Sequence, residues 1–294
     1  MQSTFTITRQ RALAAMAAGL LVLVGAGHVA QADDREDFFN GPGNVRVVGL
    51  TDDGRLVRFR ANTPQRPRDI GYVQGLSGDD TALVGIDFRV QDGKLYGVGN
   101  GGGVYTIDEA TAEARFVNAL TVPLMGTSFG VDFNPAADRL RIISDAGQNL
   151  AHNVNVGGVT VVNSMLTYTA PPAVPVPATG VTGAAYTNND LNQPATATTL
   201  FDVDTVMDQI AIQSPPGSGI LVATGTLGLD ADVVTGFDIY SRLERGVTVS
   251  NHAFASLMTN GRHAFYTIHL TTGRASRLGA LGETLIDIAI PLRQ

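Results

Sequence analysis

Residues 83–117 read LVGIDFRVQDGKLYGVGNGGGVYTIDEATAEARFV. Four short apolar-rich runs, LVGIDFR, KLYGVG, GVYTID and ARFV, are separated by Gln91-Asp92-Gly93, Asn100-Gly101-Gly102 and the polar EATAE. Asp-Gly and Asn-Gly between such runs are hairpin signals, because these residues tolerate the positive φ that tight turns between twisted strands require. The stretch therefore predicts one antiparallel meander of four strands.

Its opening returns along the chain. Gly85-Ile86-Asp87-Phe88 is followed by Gly130-Val131-Asp132-Phe133, Gly183-Ala184-Ala185-Tyr186, Gly236-Phe237-Asp238-Ile239 and Leu285-Ile286-Asp287-Ile288, at spacings of 45, 53, 53 and 49 residues. A second pattern, expected on third strands, recurs in Val104–Asp108, Leu200–Asp204 and Phe265–His269. Repeats of this length built from four strands are those of a β-propeller blade. The last opening has no room for a full blade behind it, but Val45–Leu50, Leu56–Arg60 and Asp69–Val73 read as three strands with no first strand of their own. The expectation is an all-β propeller of about five four-stranded blades, its ring closed by pairing of the N- and C-terminal strands. A β-sandwich, which also shows short strands at regular spacing, is the competing arrangement. The proline-rich segment Ala170–Ala178 is expected to be an extended loop between blades, because proline cannot donate to a ladder.

Outward from the repeat, the first residues carry Arg9 and Arg11, then an apolar run from Ala12 to Gly27, then Ala30-Gln31-Ala32. That order predicts a secretory signal peptide over 1–32, a flexible segment over 33–44 and a single propeller domain over 45–294. The run is shorter than the roughly 20 residues that span a bilayer, so a membrane anchor is disfavoured. Arg9-Gln10-Arg11 is not a twin-arginine pair, which leaves the general secretion route and a periplasmic or extracellular destination. The chain has no cysteine, so burial alone must hold it together. Loss of Arg9 and Arg11, with no acid among those residues, takes the formal charge from −7 to −9. An acidic chain without basic clusters is not expected to bind nucleic acid, and no segment after the leader is apolar enough to cross a membrane.

The chemistry-bearing candidates are few. Asp87, Asp132, Asp238 and Asp287 recur at one register, broken by Ala185, and could ring the axial channel and hold calcium through carboxylate oxygens. Against this, buried carboxylates copied in most blades more often bond the backbone of the neighbouring blade. Gly97–Gly102 satisfies G-x-G-x-x-G and Gly126–Gly130 satisfies G-x-S-x-G, but neither is expected to precede the helix those motifs need. His152, His252, His263 and His269 fit no zinc spacing. The absence of Trp and the scarcity of Glu weaken a glycosidase reading.

The densest polar block runs from Asp132 to Leu150 and contains D-F-N-P, D-R-L-R and G-Q-N-L. With these elements the sequence resembles the exported bacterial domain-of-unknown-function family 4394, from about Val47 to Ile290. The resemblance implies an exported propeller-like domain with no assigned reaction, and supplies no catalytic residue. Within the block, Asp132, Asn134, Arg139, Arg141, Asp145, Gln148 and Asn149 are the candidate ligand-binding residues. Read locally, they form a turn with an Asp138–Arg139 ion pair and a polar rim at Gln148-Asn149. Two functions compete: a monomeric binding module for a protein, polymer or small ligand, and a metal- or carboxylate-dependent hydrolase with its site at the axis.

Overall fold

The computed structural model describes residues 44–168, 174–192 and 196–294. The expected leader and all of the 33–44 segment except Asn44 lie outside the described residues. Five sheets, antiparallel but for one outer pair in the fourth, follow one another around a ring. Blade two is the deciding stretch itself: β4 (Leu83–Phe88), β5 (Leu95–Gly99), β6 (Gly103–Ile107) and β7 (Ala114–Ala119), paired in sequence order. Blade three has β8 (Phe129–Asn134), β9 (Arg139–Ser144), β10 (Asn149–His152) and β11 (Thr160–Val162). Blade four has β14 (Val181–Tyr186), β15 (Leu200–Asp204), β16 (Gln209–Gln213) and β17 (Ile220–Thr226). Blade five has β18 (Thr235–Glu244), β19 (Val247–Thr259), β20 (Arg262–Ile268) and β21 (Ala275–Ala280).

Blade one is assembled from both ends of the described chain. Its outer strands are β1 (Arg46–Thr51), β2 (Arg55–Arg60) and β3 (Arg68–Tyr72), and its innermost strand is β22 (Leu285–Ala289). The closing register pairs Val48 with Ala289, Gly49 with Ile288 and Leu50 with Asp287. The inner strands β4, β8, β14, β18 and β22 each touch the next, and β22 touches β4, which closes the circle.

Alternation along strands covered on both faces explains the packing. In β1, Val47 enters the core between blades five and one with Phe59 and Phe265, whereas Val48 and Leu50 enter the core between blades one and two with Ile86 and Tyr105. Each of the five seams has such an apolar cluster, each fully buried large side chain contributing about 1.5–3 kcal/mol. The glycine that opens four of the five repeats is demanded by close approach. A Cβ on Gly130 would lie 2.5 Å from the Ala184 nitrogen, and one on Gly236 would lie 2.7 Å from the Asp287 carbonyl carbon.

Two expectations are corrected. Of the proline-rich segment residues 174–178 are described, and they are not simply a loop: β13 (Val176–Pro177) pairs with β12 (Thr167–Tyr168), and together they add two outer strands to blade four, making that sheet six-stranded. Pro177 is tolerated because β13 is the sheet edge, where no ladder donor is needed. Leu200–Asp204 is the second strand of its blade rather than the third. Second and third strands are both interior and buried on both faces, so their compositions converge.

Candidate functional site

The repeated aspartates lie on inner strands of four blades, each only 2–6% exposed. Every one of them accepts a backbone N–H from the following blade. Phe133 N donates to Asp87 Oδ2 at 2.7 Å, Tyr186 N to Asp132 Oδ1 at 3.1 Å, Ile290 N to Asp238 Oδ2 at 2.5 Å and Ile86 N to Asp287 Oδ2 at 2.8 Å. Four of five seams therefore carry a carboxylate latch at the axis, and the fifth, where Ala185 stands, does not carry one there.

Carboxylate oxygens of Asp87, Asp132 and Asp238 also lie within 4.8 Å of one another. These three come from blades two, three and five, which can meet only at the axis. Burial pushes the Asp238 carboxyl up to about 7. Burial, and then the charge of Asp238, holds Asp87 well above the carboxylate range; burial, and then Asp87 and Asp238, does the same for Asp132. Asp287 is also raised, chiefly by burial. Like charges this close cannot all ionise without a cation, so the cluster either keeps protons at neutral pH or holds a hard metal ion by its free oxygens.

The candidates of the central block do not converge. Arg141, buried on β9, donates to Asn149 Oδ1 and Asn163 Oδ1 at 2.6 Å each and to the Tyr186 hydroxyl at 3.3 Å. Asn149 donates to the carbonyls of Ser164 and Pro216, so these two residues tie blade three to blade four. Gln148 holds the 120–128 connection by bonds to Pro123 O and Met125 N. Asp145 accepts from the amide and hydroxyl of Thr127. Asn134 accepts from Ala136 N and Ala137 N in the β8–β9 turn.

The expected Asp138–Arg139 ion pair is absent among the described residues: Arg139 donates to the carbonyls of Ala137 and Asp138. The Asp138 carboxylate instead takes two bonds from Arg89 of blade two, at 2.8 and 2.6 Å, which hold its carboxyl below the usual range. The expected polar rim is likewise interior, with Gln148 and Asn149 both buried.

A strand rather than a helix follows each short glycine motif, β6 after Gly97–Gly102 and β8 from within Gly126–Gly130. In the first, Gly101 N, Gly103 N and the Tyr105 hydroxyl all donate to the chain's own Asp80 carboxylate. Of the histidines, His152 is fixed between Asn118 and Thr160 with its pKa lowered by burial to about 4, His252 lies against Ser250, and His269 bonds Thr272.

Two features escaped sequence reasoning. Asp202 on β15 is fully buried with both carboxylate oxygens lacking a partner, raised by burial and countered by the Arg141 guanidinium. His263 on β20 is 8% exposed, and neither ring nitrogen has a partner. It lines a cleft of about 700 Å³ between the β19–β20 turn and the connection from β21 to β22. No spacing rule flags either residue, since their surroundings are assembled across a sheet.

The chain matches the family described as "Domain of unknown function (DUF4394)" over residues 55–289. A comparison with curated proteins finds no match. Among solved structures, a protein from Lactobacillus plantarum is similar at 15% identity and a TM-score of 0.37, covering 80% of this chain and 66% of the other. An auxiliary nutrient binding protein from Bacteroides ovatus is similar at 13% identity and 0.37, covering 75% and 55%. A protein of unknown function from Bacteroides thetaiotaomicron is similar at 10% identity and 0.43, covering 85% and 62%. The chain thus spans about half to two thirds of the length of these relatives, and likeness at this level carries no functional argument.

Proposed function

Because the chain belongs to the DUF4394 family, whose description assigns no activity, we propose from its own geometry that it is an exported binding module on a five-bladed propeller. In this reading residues 1–32 direct general secretion and are removed, 33–44 form a lead-in, and 45–294 act as a monomer in the periplasm or outside the cell. One observation carries the proposal. The axial aspartates are spent on bonds to neighbouring blades and the polar block on bonds within blade three or to blade four, while a cleft of about 700 Å³ at the outer end of blade five has Arg262, Tyr266, Arg277 and Glu283 in its wall. A rigid ring with a polar cleft at a blade seam is built to hold a ligand in place.

The test is a thermal-shift panel of small anions, sugars and calcium on the full mature protein, with each compound analysed afterwards. A saturable ligand-dependent rise in melting temperature, with the compound recovered unchanged, is expected; at a hundredfold excess over Kd the gain is about 2.7 kcal/mol. A second reading, a metal-dependent hydrolase, is favoured by the Asp87–Asp132–Asp238 cluster alone. Calcium in the purified protein, together with substrate turnover lost in Asp132→Asn, would overturn the binding-module reading in favour of it.

A further inference from the structure

We propose that the face of blade one turned toward blade two is a binding surface for a linear acidic polysaccharide, its carboxylate or sulfate groups received by Arg46, Arg58, Arg60 and Arg68. The proposal rests on the binding-module reading and names the partner's chemistry. No basic run marks the surface in the sequence, because its arginines are scattered between positions 46 and 68. The ladder collects them. Arg46 of β1 stands directly opposite Arg60 of β2, and Arg58 of β2 directly opposite Arg68 of β3. Arg58 also stands opposite Val48, so all four share the face that Val48 and Leu50 present to blade two, while Val57 and Phe59 point the other way. Opposed β-carbons in such a ladder are about 5 Å apart, and same-face neighbours along a strand about 7 Å apart. Four exposed arginines therefore form one block at the same end of three strands.

The block is uncompensated. Elsewhere Arg55 pairs with Asp53, Asp69 and Glu283, Arg89 with Asp92 and Asp138, and Arg242 with Glu244. Among the described residues none of the four forms an ion pair, and Arg60 donates only to the Asn44 carbonyl. Asp69, beside Arg68, stands opposite Val57 and so belongs to the other face. Glu109, on the β6–β7 turn of blade two, feels the charges of Arg46 and Arg58, but burial outweighs them and its carboxyl stays raised. One acid thus faces four cations on a chain of net charge −7. Like charges directly opposite in a ladder are destabilising, and here two such pairs adjoin. That repulsion is the independent indication: an anionic chain laid across both pairs removes it, and nothing among the described residues does.

The surroundings select the kind of polyanion. Single-stranded nucleic acid is held by aromatic rings on which its bases stack. Phe59 is buried toward the opposite face, and Tyr72 lies beside Arg55. A protein partner needs an apolar centre to its interface, but Val48 and Leu50 beneath the block are spent in the seam between blades. An acidic polysaccharide needs neither. Its charges recur along the chain, each guanidinium fork receives an oxyanion through paired N–H donors, and linked weak contacts add up to firm binding.

The experiment is calorimetric titration of the full mature protein with polygalacturonate, with dextran sulfate and with neutral dextran, at low and at raised salt. Saturable binding of the charged polymers alone is expected, weakening as salt rises and falling at least tenfold in Arg58→Gln/Arg60→Gln and in Arg46→Gln/Arg68→Gln. Tighter polygalacturonate assigns carboxylates; tighter dextran sulfate assigns sulfates. Removing exposed like charges relieves repulsion, so neither double variant should melt below the parent. A melting temperature lowered in both would make the arginines structural and overturn the proposal. It is equally overturned if neither charged polymer binds, if neutral dextran binds as tightly, or if the variants bind as the parent does. A single-stranded oligonucleotide held more tightly than either polymer would replace the polysaccharide with nucleic acid. Any of these failures leaves a small ligand at the blade-five cleft, and with it the binding-module reading, standing; only a thermal-shift panel without a binder removes that.

Discussion

The seam between blades three and four and the seam between blades four and five solve the same problem differently. At the first, Asp132 reaches across the axis end of the seam to Tyr186 N. At the second, Ala185 occupies the equivalent position, and the polar latch has moved to the rim. There Asn188 and Asn251 exchange two bonds, Asn189 N donates to Ser241 Oγ, and Asp190 accepts from the amide and hydroxyl of Thr248. The partners sit on β18 and β19, which at 10 and 13 residues are the longest strands described and extend far enough to be reached. The apolar cluster at this seam also gathers Phe201, Val203, Phe237 and Leu257. A repeat therefore conserves the way a seam is covered while leaving the place of its polar tie free.

Perturbations at the seams should rank accordingly. Deleting 284–292 removes β22 and strips blade one of its inner strand; the cooperative thermal transition should be lost, and an unchanged melt would reject the closed ring. Gly130→Ala sets a methyl 2.5 Å from the Ala184 nitrogen, where only backbone can yield, so denaturant unfolding should show a loss of about 3 kcal/mol. Asp132→Ala leaves the Tyr186 N–H buried without an acceptor and should cost about 2 kcal/mol. Asn251→Ala, at the rim where water can replace the lost bonds more readily, should cost about 1 kcal/mol. Equal losses at Asp132 and Asn251 would erase the distinction between axial and rim latches.

The axial acids also predict a pH dependence. A carboxyl raised on folding binds a proton more tightly in the native state, so its contribution is complete below the unfolded value near 3.8 and is lost as pH rises through the folded value. For Asp238, at about 7, melting temperature should rise as pH falls from 7 toward 4, and Asp238→Asn should flatten that slope. Asp53 and Asp138, both lowered by hydrogen bonds, lose their contributions only as pH falls further, below the usual carboxylate value.

The ring was legible in the sequence because its geometry imposes one residue type at one register. Close approach of inner strands requires glycine at Gly85, Gly130, Gly183 and Gly236, and the N–H of the next blade favours an acceptor two residues later. Such constraints repeat with the blade and so appear as a period. The ties between particular blades do not repeat. Arg89 and Asp138 are 49 residues apart, and nothing local to Asp138-Arg139 shows that its acid belongs to another blade. Arg141 reads as a candidate ligand-binding residue, yet it is buried and its guanidinium is taken up by the asparagines at 149 and 163. His263 carries no motif at all; its interest arises from what the fold leaves unpaired around it.

The closed ring is tested most directly by a cross-link, which the absence of native cysteine makes clean. Val48 of β1 and Ala289 of β22 face each other in register, so Val48→Cys combined with Ala289→Cys should oxidise within one native molecule and raise the melting temperature. Thiols that stay free in the folded protein, or that link only between molecules, would place the two chain ends in different sheets and contradict the account.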